Sequence, residues 1–294
     1  MDNWKMNDKT KPKNTFIKKN APALIRFLVQ VVFFIFFPSA YSASFAGVKY
    51  IFTQLGLTKM TEVTPFVAIL IALCLYTVVF GRFFCGYACA FGSMGDWLFS
   101  LHSLISRSRK KKPLAVSPKI LTKLSWIKYA VLTAVIVLCV TGNFEKTAGS
   151  SPWDAFSQIR SGSFTLSGYT AGLIVLLFIM TGMFFSERFF CRVLCPMRAV
   201  FSILPVIPLF SLRRKRENCI TGCSACSRKC PSDIALPDMG SYEVQGDCFQ
   251  CGKCTSACPR QNIRCSGVKL KGSEYFLILL RAALLAGLFI WLGA

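Results

Sequence analysis

The sequence has a single histidine, His102, and only 13 acidic residues against 35 lysines and arginines in 294 residues. One histidine excludes a haem held by two histidines of this chain. No Cys-x-x-Cys-His occurs, so covalent c-type haem is excluded as well. The scattered, periodic apolar residues of a soluble domain are also missing. The chain is 53% hydrophobic, its mean hydropathy is +0.50, and its apolar residues come in long blocks, the mark of membrane spans. In a soluble protein a formal charge of +22 would suggest nucleic acid. Here the basic residues cluster in short loops between apolar blocks, so the positive-inside rule explains them and nucleic acid is not expected as a partner. No apolar run or cleavage site occupies Met1 to Asn20. This lysine-rich stretch is expected to be a cytoplasmic tail rather than a cleaved signal peptide.

Five apolar blocks are candidate transmembrane helices: Phe27 to Phe45 with a kink at Pro38, Val63 to Phe84, Leu124 to Thr141, Tyr169 to Phe185, and Tyr275 to Trp291. The basic segments alternate with nearly neutral ones. Lys5 to Lys19, Arg107 to Lys123 and Arg198 to Arg216 fall on one side. The loops holding Lys49, Lys59 and Glu62, and Glu145, Lys146, Asp154 and Arg160, fall on the other. This alternation predicts a multi-pass protein of the cytoplasmic (inner) membrane with its N-terminus inside.

Arg82-Phe83-Phe84-Cys85-x-x-x-Cys89 recurs as Arg188-Phe189-Phe190-Cys191-x-x-x-Cys195, each copy ending an inward-running span. The repetition predicts two parallel two-helix repeats related by an axis along the membrane normal. The expected organisation is a basic tail (1–23), a first transmembrane repeat (24–106), a basic loop (107–123), a second repeat (124–216), an inserted polar, cysteine-dense α+β domain (217–272) and a C-terminal transmembrane helix (273–294).

The 15 cysteines do not suit a secreted disulfide scaffold, which would be small and loop-rich. Cys248-x-x-Cys251-x-x-Cys254-x-x-x-Cys258-Pro259 is a full bacterial ferredoxin run. Its partner, Cys219-x-x-x-Cys223-x-x-Cys226-x-x-x-Cys230-Pro231, has one extra residue between its first two cysteines, which Gly222 could absorb in a wider turn. In two-cluster ferredoxins the fourth cysteine of each run ligates the other cluster. That rule predicts one [4Fe–4S] cluster on Cys219, Cys223, Cys226 and Cys258, and another on Cys248, Cys251, Cys254 and Cys230. Zinc is a poor competitor at this spacing. Cys85 and Cys89, like Cys191 and Cys195, stand four apart and are expected to share a helix face. If the repeats pack together, the four thiols form a candidate further metal or iron–sulfur site, the alternative being buried packing cysteines. Cys74, Cys139 and Cys265 lie outside every motif and read as structural. His102 reads as a solvated residue, or else as a base for a quinol proton. Arg281 reads as snorkelling, or else as gripping a cofactor or lipid phosphate. Trp153, Phe156 and Ile159 suggest a short amphipathic helix on the membrane or under a partner.

The paired Cys-x-x-x-Cys motifs and the two ferredoxin runs resemble the NapH/MauN group of ferredoxin-type membrane proteins, with related modules in NosR and in the cupric reductase CcoG. The resemblance covers Phe27 to Arg264. It departs at Ala90, where the family has proline, in the extra residue of the first run, and in a fifth span. It implies an iron–sulfur protein relaying electrons between cytoplasmic clusters or the quinone pool and a membrane or extracytoplasmic redox partner, a flavin or iron–sulfur protein, with quinone as a further candidate ligand. The alternative it leaves open is a copper reductase or assembly factor of the CcoG type. A redox sensor acting through cluster loss is a third reading.

Overall fold

The computed structural model describes residues 14–59, 62–110, 118–144, 149–161, 168–207, 210–239, 241, 243, 245–265 and 273–293. The fold is mostly helical. Helix α1 (Asn14–Phe36) stops where Pro38 removes a donor and disfavours helix for the residue before it. Helix α2 (Ala40–Gly56) then sets off at 62° to α1. The single kinked span expected from sequence is therefore a broken pair. Helix α3 (Pro65–Phe80) starts with Pro at its first position, where no intrahelical donor is lost, and ends at Gly81, whose φ of 72° suits glycine. A π-helical turn (Phe84–Ala88) leads into α4 (Ala90–Ser108). Helices α5 (Pro118–Leu124) and α6 (Ile127–Val140) follow, then the short α7 (Pro152–Ser161) and the apolar α8 (Thr170–Phe185). After them come α9 (Phe189–Val193) and α10 (Pro196–Ile203).

The segment Ile120–Val140 and the helix Tyr275–Leu292 are each long and apolar enough to cross a membrane, and the α1–α2 pair makes a third span if counted as one. Helices α3 and α8 are apolar but only 16 residues each. At 1.5 Å per residue each reaches about 24 Å, short of a hydrocarbon core of about 30 Å.

The cysteine-dense segment is closed by an antiparallel pair, β1 (Leu212–Arg214) and β2 (Ile263–Cys265), with Arg213 opposite Arg264. Between the strands lie two single-turn helices, α11 (Ala225–Arg228) and α12 (Lys253–Ala257). Helix α13 (Ser273–Leu292) follows and packs on α3 and α1. The core is aromatic: Phe33 of α1 and Phe37 just after it meet Phe289 of α13, and Phe84 meets both Phe289 and Phe201.

Candidate redox centre

The two copies of the repeated motif are built alike. Each apolar helix, α3 or α8, breaks after its last turn, and a short buried turn carries the first cysteine. The second cysteine then takes an extended conformation as the cap of the next helix: Cys89 at φ −70°, ψ 123° before α4, and Cys195 at φ −72°, ψ 111° before α10. The cysteines of a pair therefore do not share one helix face, as their spacing alone suggested, because each helical turn ends before its second cysteine. All four thiols are buried, and they lie within electrostatic reach of one another across the repeats: Cys89 of Cys191, Cys85 and Cys195, and Cys191 of Cys195 and Cys85. The backbone N–H of Arg198 donates to Cys195 Sγ (3.4 Å), and Tyr41 Oη stands 3.7 Å from the same sulfur.

The motif arginines, repeated but not interpreted at the sequence level, tie the halves together. Arg188 is fully buried and crosses to the other repeat, where it donates to the carbonyls of Cys85 (2.5 Å) and Gly86 (3.0 Å) and to both oxygens of Asp96. Asp96 also receives Arg26, Gln30 (2.9 Å) and Lys253 (3.2 Å). A second carboxylate, Asp247, is met by Arg198 (3.0 Å), Lys128 (3.1 Å) and Arg82 (3.5 Å). The two clusters mirror each other. Each joins a cation from the first helix of one repeat, Arg26 or Lys128, with the motif arginine of the other, Arg188 or Arg82. Asp96 belongs to the first repeat, whereas Asp247 belongs to the cysteine-dense segment. That segment also sends Lys253 to Asp96 and to Glu187.

These contacts dock the cysteine-dense segment on the turn that holds Cys85. Phe249 is buried between the guanidinium groups of Arg188 (4.7 Å) and Arg198 (4.4 Å), favourable cation–π geometry. Gly86 lies so close that a Cβ there would collide with the Phe249 carbonyl. Tyr87 Oη reaches the Cys251 carbonyl at 3.5 Å. Burial raises the carboxyl of Asp247, but Arg198, Lys128 and Arg82 outweigh it and hold it at about 2. A carboxylate depressed below its usual value of about 4 contributes fully above that value and is lost only as the pH falls through the lower one. Docking through Asp247 therefore persists across the neutral and mildly acidic range. Lys253 is lowered to about 8, by burial first, with Asp96 opposing.

Within the segment, one cavity is lined by Cys219, Cys223, Cys226 and Cys258. A neighbouring cavity is lined by Cys230, Cys248, Cys251 and Cys254, with Cys226 on the shared wall. These are the two crossed sets grouped by the ferredoxin rule. Among the described residues no three Cys, His, Asp or Glu side chains stand at the spacing of one bound metal ion. A cubane, which spreads its ligand sulfurs over four irons, asks for a wider arrangement. Hydrogen-bond donors point at the sulfurs: Asn262 N–H at Cys258 (3.3 Å), Gln250 N–H at Cys248 (3.4 Å) and Arg214 at Cys226 (3.9 Å). Burial pushes the Cys248 thiol up to about 12, so a thiolate there needs a compensating cation or metal.

The charge balance also fits a negatively charged centre. Arg82 is 2% exposed, and none of its three nitrogens has a hydrogen-bond partner among the described residues. It lies within electrostatic reach of Cys85 on one side and Cys248 on the other, as Arg188 does of Cys191 and Cys251. A buried, incompletely paired cation is expensive, and thiolate-ligated clusters supply the missing negative charge.

Three further expectations change. His102 is buried rather than solvated, packed on Phe184 (4.7 Å) and Phe185 (5.5 Å), because α4 folds back along α8. Arg281 does not snorkel. It is buried and donates to Gln250 (3.0 Å) and Cys265 (3.1 Å), tying α13 to the cysteine-dense segment. Helix α7 turns inward: Trp153 packs on Tyr41, Phe45 and Phe190, and Phe156 on Phe91, so only Ile159 of the expected apolar trio is exposed.

A family described as a 4Fe-4S binding domain matches residues 63–113 and again 170–216, the two stretches that carry the repeated cysteine turns. The uncharacterized protein MJ0750 of Methanocaldococcus jannaschii is 29% identical over 241 residues, 81% of this chain and 92% of its own length. MJ0749 of the same organism is 31% identical over 201 residues, 68% of each chain. The putative electron transport protein YccM of Escherichia coli is 25% identical over 195 residues, 65% of this chain and 52% of YccM. The similarity extends to NapH, and to NirI and NosR, of which the chain spans only about a quarter. No solved structure matches. The chain belongs to the ferredoxin-type membrane proteins of the NapH/NosR kind.

Proposed function

We propose that this iron–sulfur electron-transfer protein is a three-station relay: an outer cluster on Cys219, Cys223, Cys226 and Cys258, an inner cluster on Cys230, Cys248, Cys251 and Cys254, and a third centre on Cys85, Cys89, Cys191 and Cys195 between the repeats. The docking of Phe249 to Cys251 against Gly86 carries this reading, because it sets the inner cavity against the turn that bears Cys85. A bound [4Fe–4S] cluster takes up and returns one electron without a proton. The chain's own residues supply the rest. Asp96 and Asp247 hold the segment in place, Arg82 and Arg188 offset negative charge on both sides of the gap, and the aromatic layer keeps water out. From the inter-repeat centre the route continues to a quinone or to an extracytoplasmic flavin or iron–sulfur partner. The all-thiol donor set of that centre also suits copper(I), and copper bound in stoichiometric amount there would favour a metal reductase instead.

Proteoliposomes test the relay. With an impermeant reductant on the cysteine-rich side and an impermeant acceptor on the other, electron passage should require the protein and stop when its clusters are removed. A rate equal to that of empty liposomes would end the relay reading.

The charge pattern further predicts five spans, with Ser108 and Ser227 on the cytoplasmic side and Ser150 outside. Reporter fusions ending at these positions check it. A reporter at Ser227 that reads as external would invert the orientation.

A further inference from the structure

The outer cavity does not face the membrane repeats. Cys219 and Cys223 are exposed, whereas Cys251 and Cys254 of the inner set are buried. Around the outer cavity the surface has an apolar centre and a cationic rim. Ile220 is 47% exposed and lines the cavity together with Pro259. Arg260 belongs both to this cavity and to an adjoining cleft of about 290 Å³, where Lys215, Arg264 and the half-exposed Met239 also lie. Arg228 and Lys229, exposed at the end of α11, add two cations two and three residues after Cys226. Opposing charge nearby is sparse: Glu217 pairs with Lys215 at 3.3 Å, and Asp238 pairs with Arg216 at 2.9 Å. The two groups that dock the segment on the repeats, Asp247 and Lys253, are engaged with Lys128, Arg198 and Asp96 and are absent from the lining of this cavity.

From this placement we infer that the face around Cys219, Cys223 and Arg260 is a docking port for a small, acidic, soluble one-electron carrier protein. The inference rests on the relay reading and names the partner at its outer end. An apolar contact over the most accessible thiols brings two centres close. A rim of one sign steers a partner of the opposite sign and speeds encounter without demanding tight binding, which suits a carrier that must leave after each transfer. One electron leaves the carrier's reduced cofactor and enters the centre held by the outer thiols. No bond is broken and no proton moves.

The test uses the full chain, purified anaerobically and reconstituted in nanodiscs, mixed in a stopped-flow instrument with flavodoxin hydroquinone, whose oxidation to the blue semiquinone is followed. The second-order rate should fall at least about tenfold between about 50 and about 300 mM salt, because screening shortens the reach of the rim. Joint substitution Lys229→Glu and Arg260→Glu should lower the rate by about tenfold at low salt. Arg109→Glu, at the exposed end of α4, should leave it unchanged. Iron content and reduction by dithionite should be the same in all variants. If the double variant loses its clusters, the salt dependence of the unaltered protein and an Arg260→Ala variant decide instead. A rate indifferent to salt and to rim charge overturns the port. If dithionite reduces the clusters but flavodoxin does not, the port alone fails. If nothing reduces them, the relay itself fails.

Discussion

Cys191→Ser should abolish electron passage across the bilayer while leaving about eight irons in the cysteine-dense segment. Cys191 is buried and lies within electrostatic reach of Cys195 and Cys85, which is why the proposed inter-repeat centre includes it. A serine hydroxyl there is a poor ligand for iron or copper(I). The proposed ligand sets of the cysteine-dense segment do not include Cys191, and the segment's docking runs through Asp96, Asp247 and Lys253. A cysteine serving only to pack would behave differently: Cys191→Ser would cost a little stability and leave transfer intact. Metal analysis and proteoliposome transfer on the same preparation separate the two. Full activity with unchanged metal content would remove the inter-repeat centre from the relay.

Asp96→Ala should be the most destabilising single change outside the cysteines. Asp96 faces Arg26, Arg188 and Lys253, and its side chain and those of both arginines are at most 8% exposed. Removing the carboxylate leaves buried cations without their counter-charge, a loss of about 3–5 kcal/mol for breaking a buried ionic network. The consequence is local first. Arg188 loses its anchor and its grip on the Cys85 and Gly86 carbonyls loosens, while Lys253 no longer pins the segment. Asp96→Asn keeps the shape and part of the hydrogen bonding and should lose less. Thermal unfolding in detergent, together with protease sensitivity of the cysteine-dense segment, measures this. An Asp96→Ala protein as stable and protease-resistant as the parent would show that the segment is held by something else.

The cysteines were legible in the sequence because ligand spacing is a local property. Finding the ferredoxin runs and the two repeated pairs needed no tertiary information, and the family resemblance rested on the same residues. The motif arginines were visible as repeats, yet their role was not, because Arg188 acts on the opposite repeat and Arg82 on a segment far along the chain. Asp96 and Asp247 carried a weak signal, as two of only 13 acids. Nothing local says that each gathers cations from three separate stretches. Spacing also misled once: four residues apart implies one helix face only if the helix continues, and in both copies it ends before the second cysteine. His102 and Arg281 differ for a related reason, since whether a polar side chain on a helix meets water depends on which element folds over it.

The most direct test is iron and acid-labile sulfide analysis of anaerobically purified protein, followed by electron paramagnetic resonance after stepwise reduction. Expected are about eight irons and eight sulfides from the cysteine-dense segment, plus any metal between the repeats. Two interacting reduced [4Fe–4S] signals should appear, with an interaction that survives in Cys191→Ser. A colourless protein carrying zinc on the same cysteines, with no signal on reduction, would contradict an iron–sulfur relay.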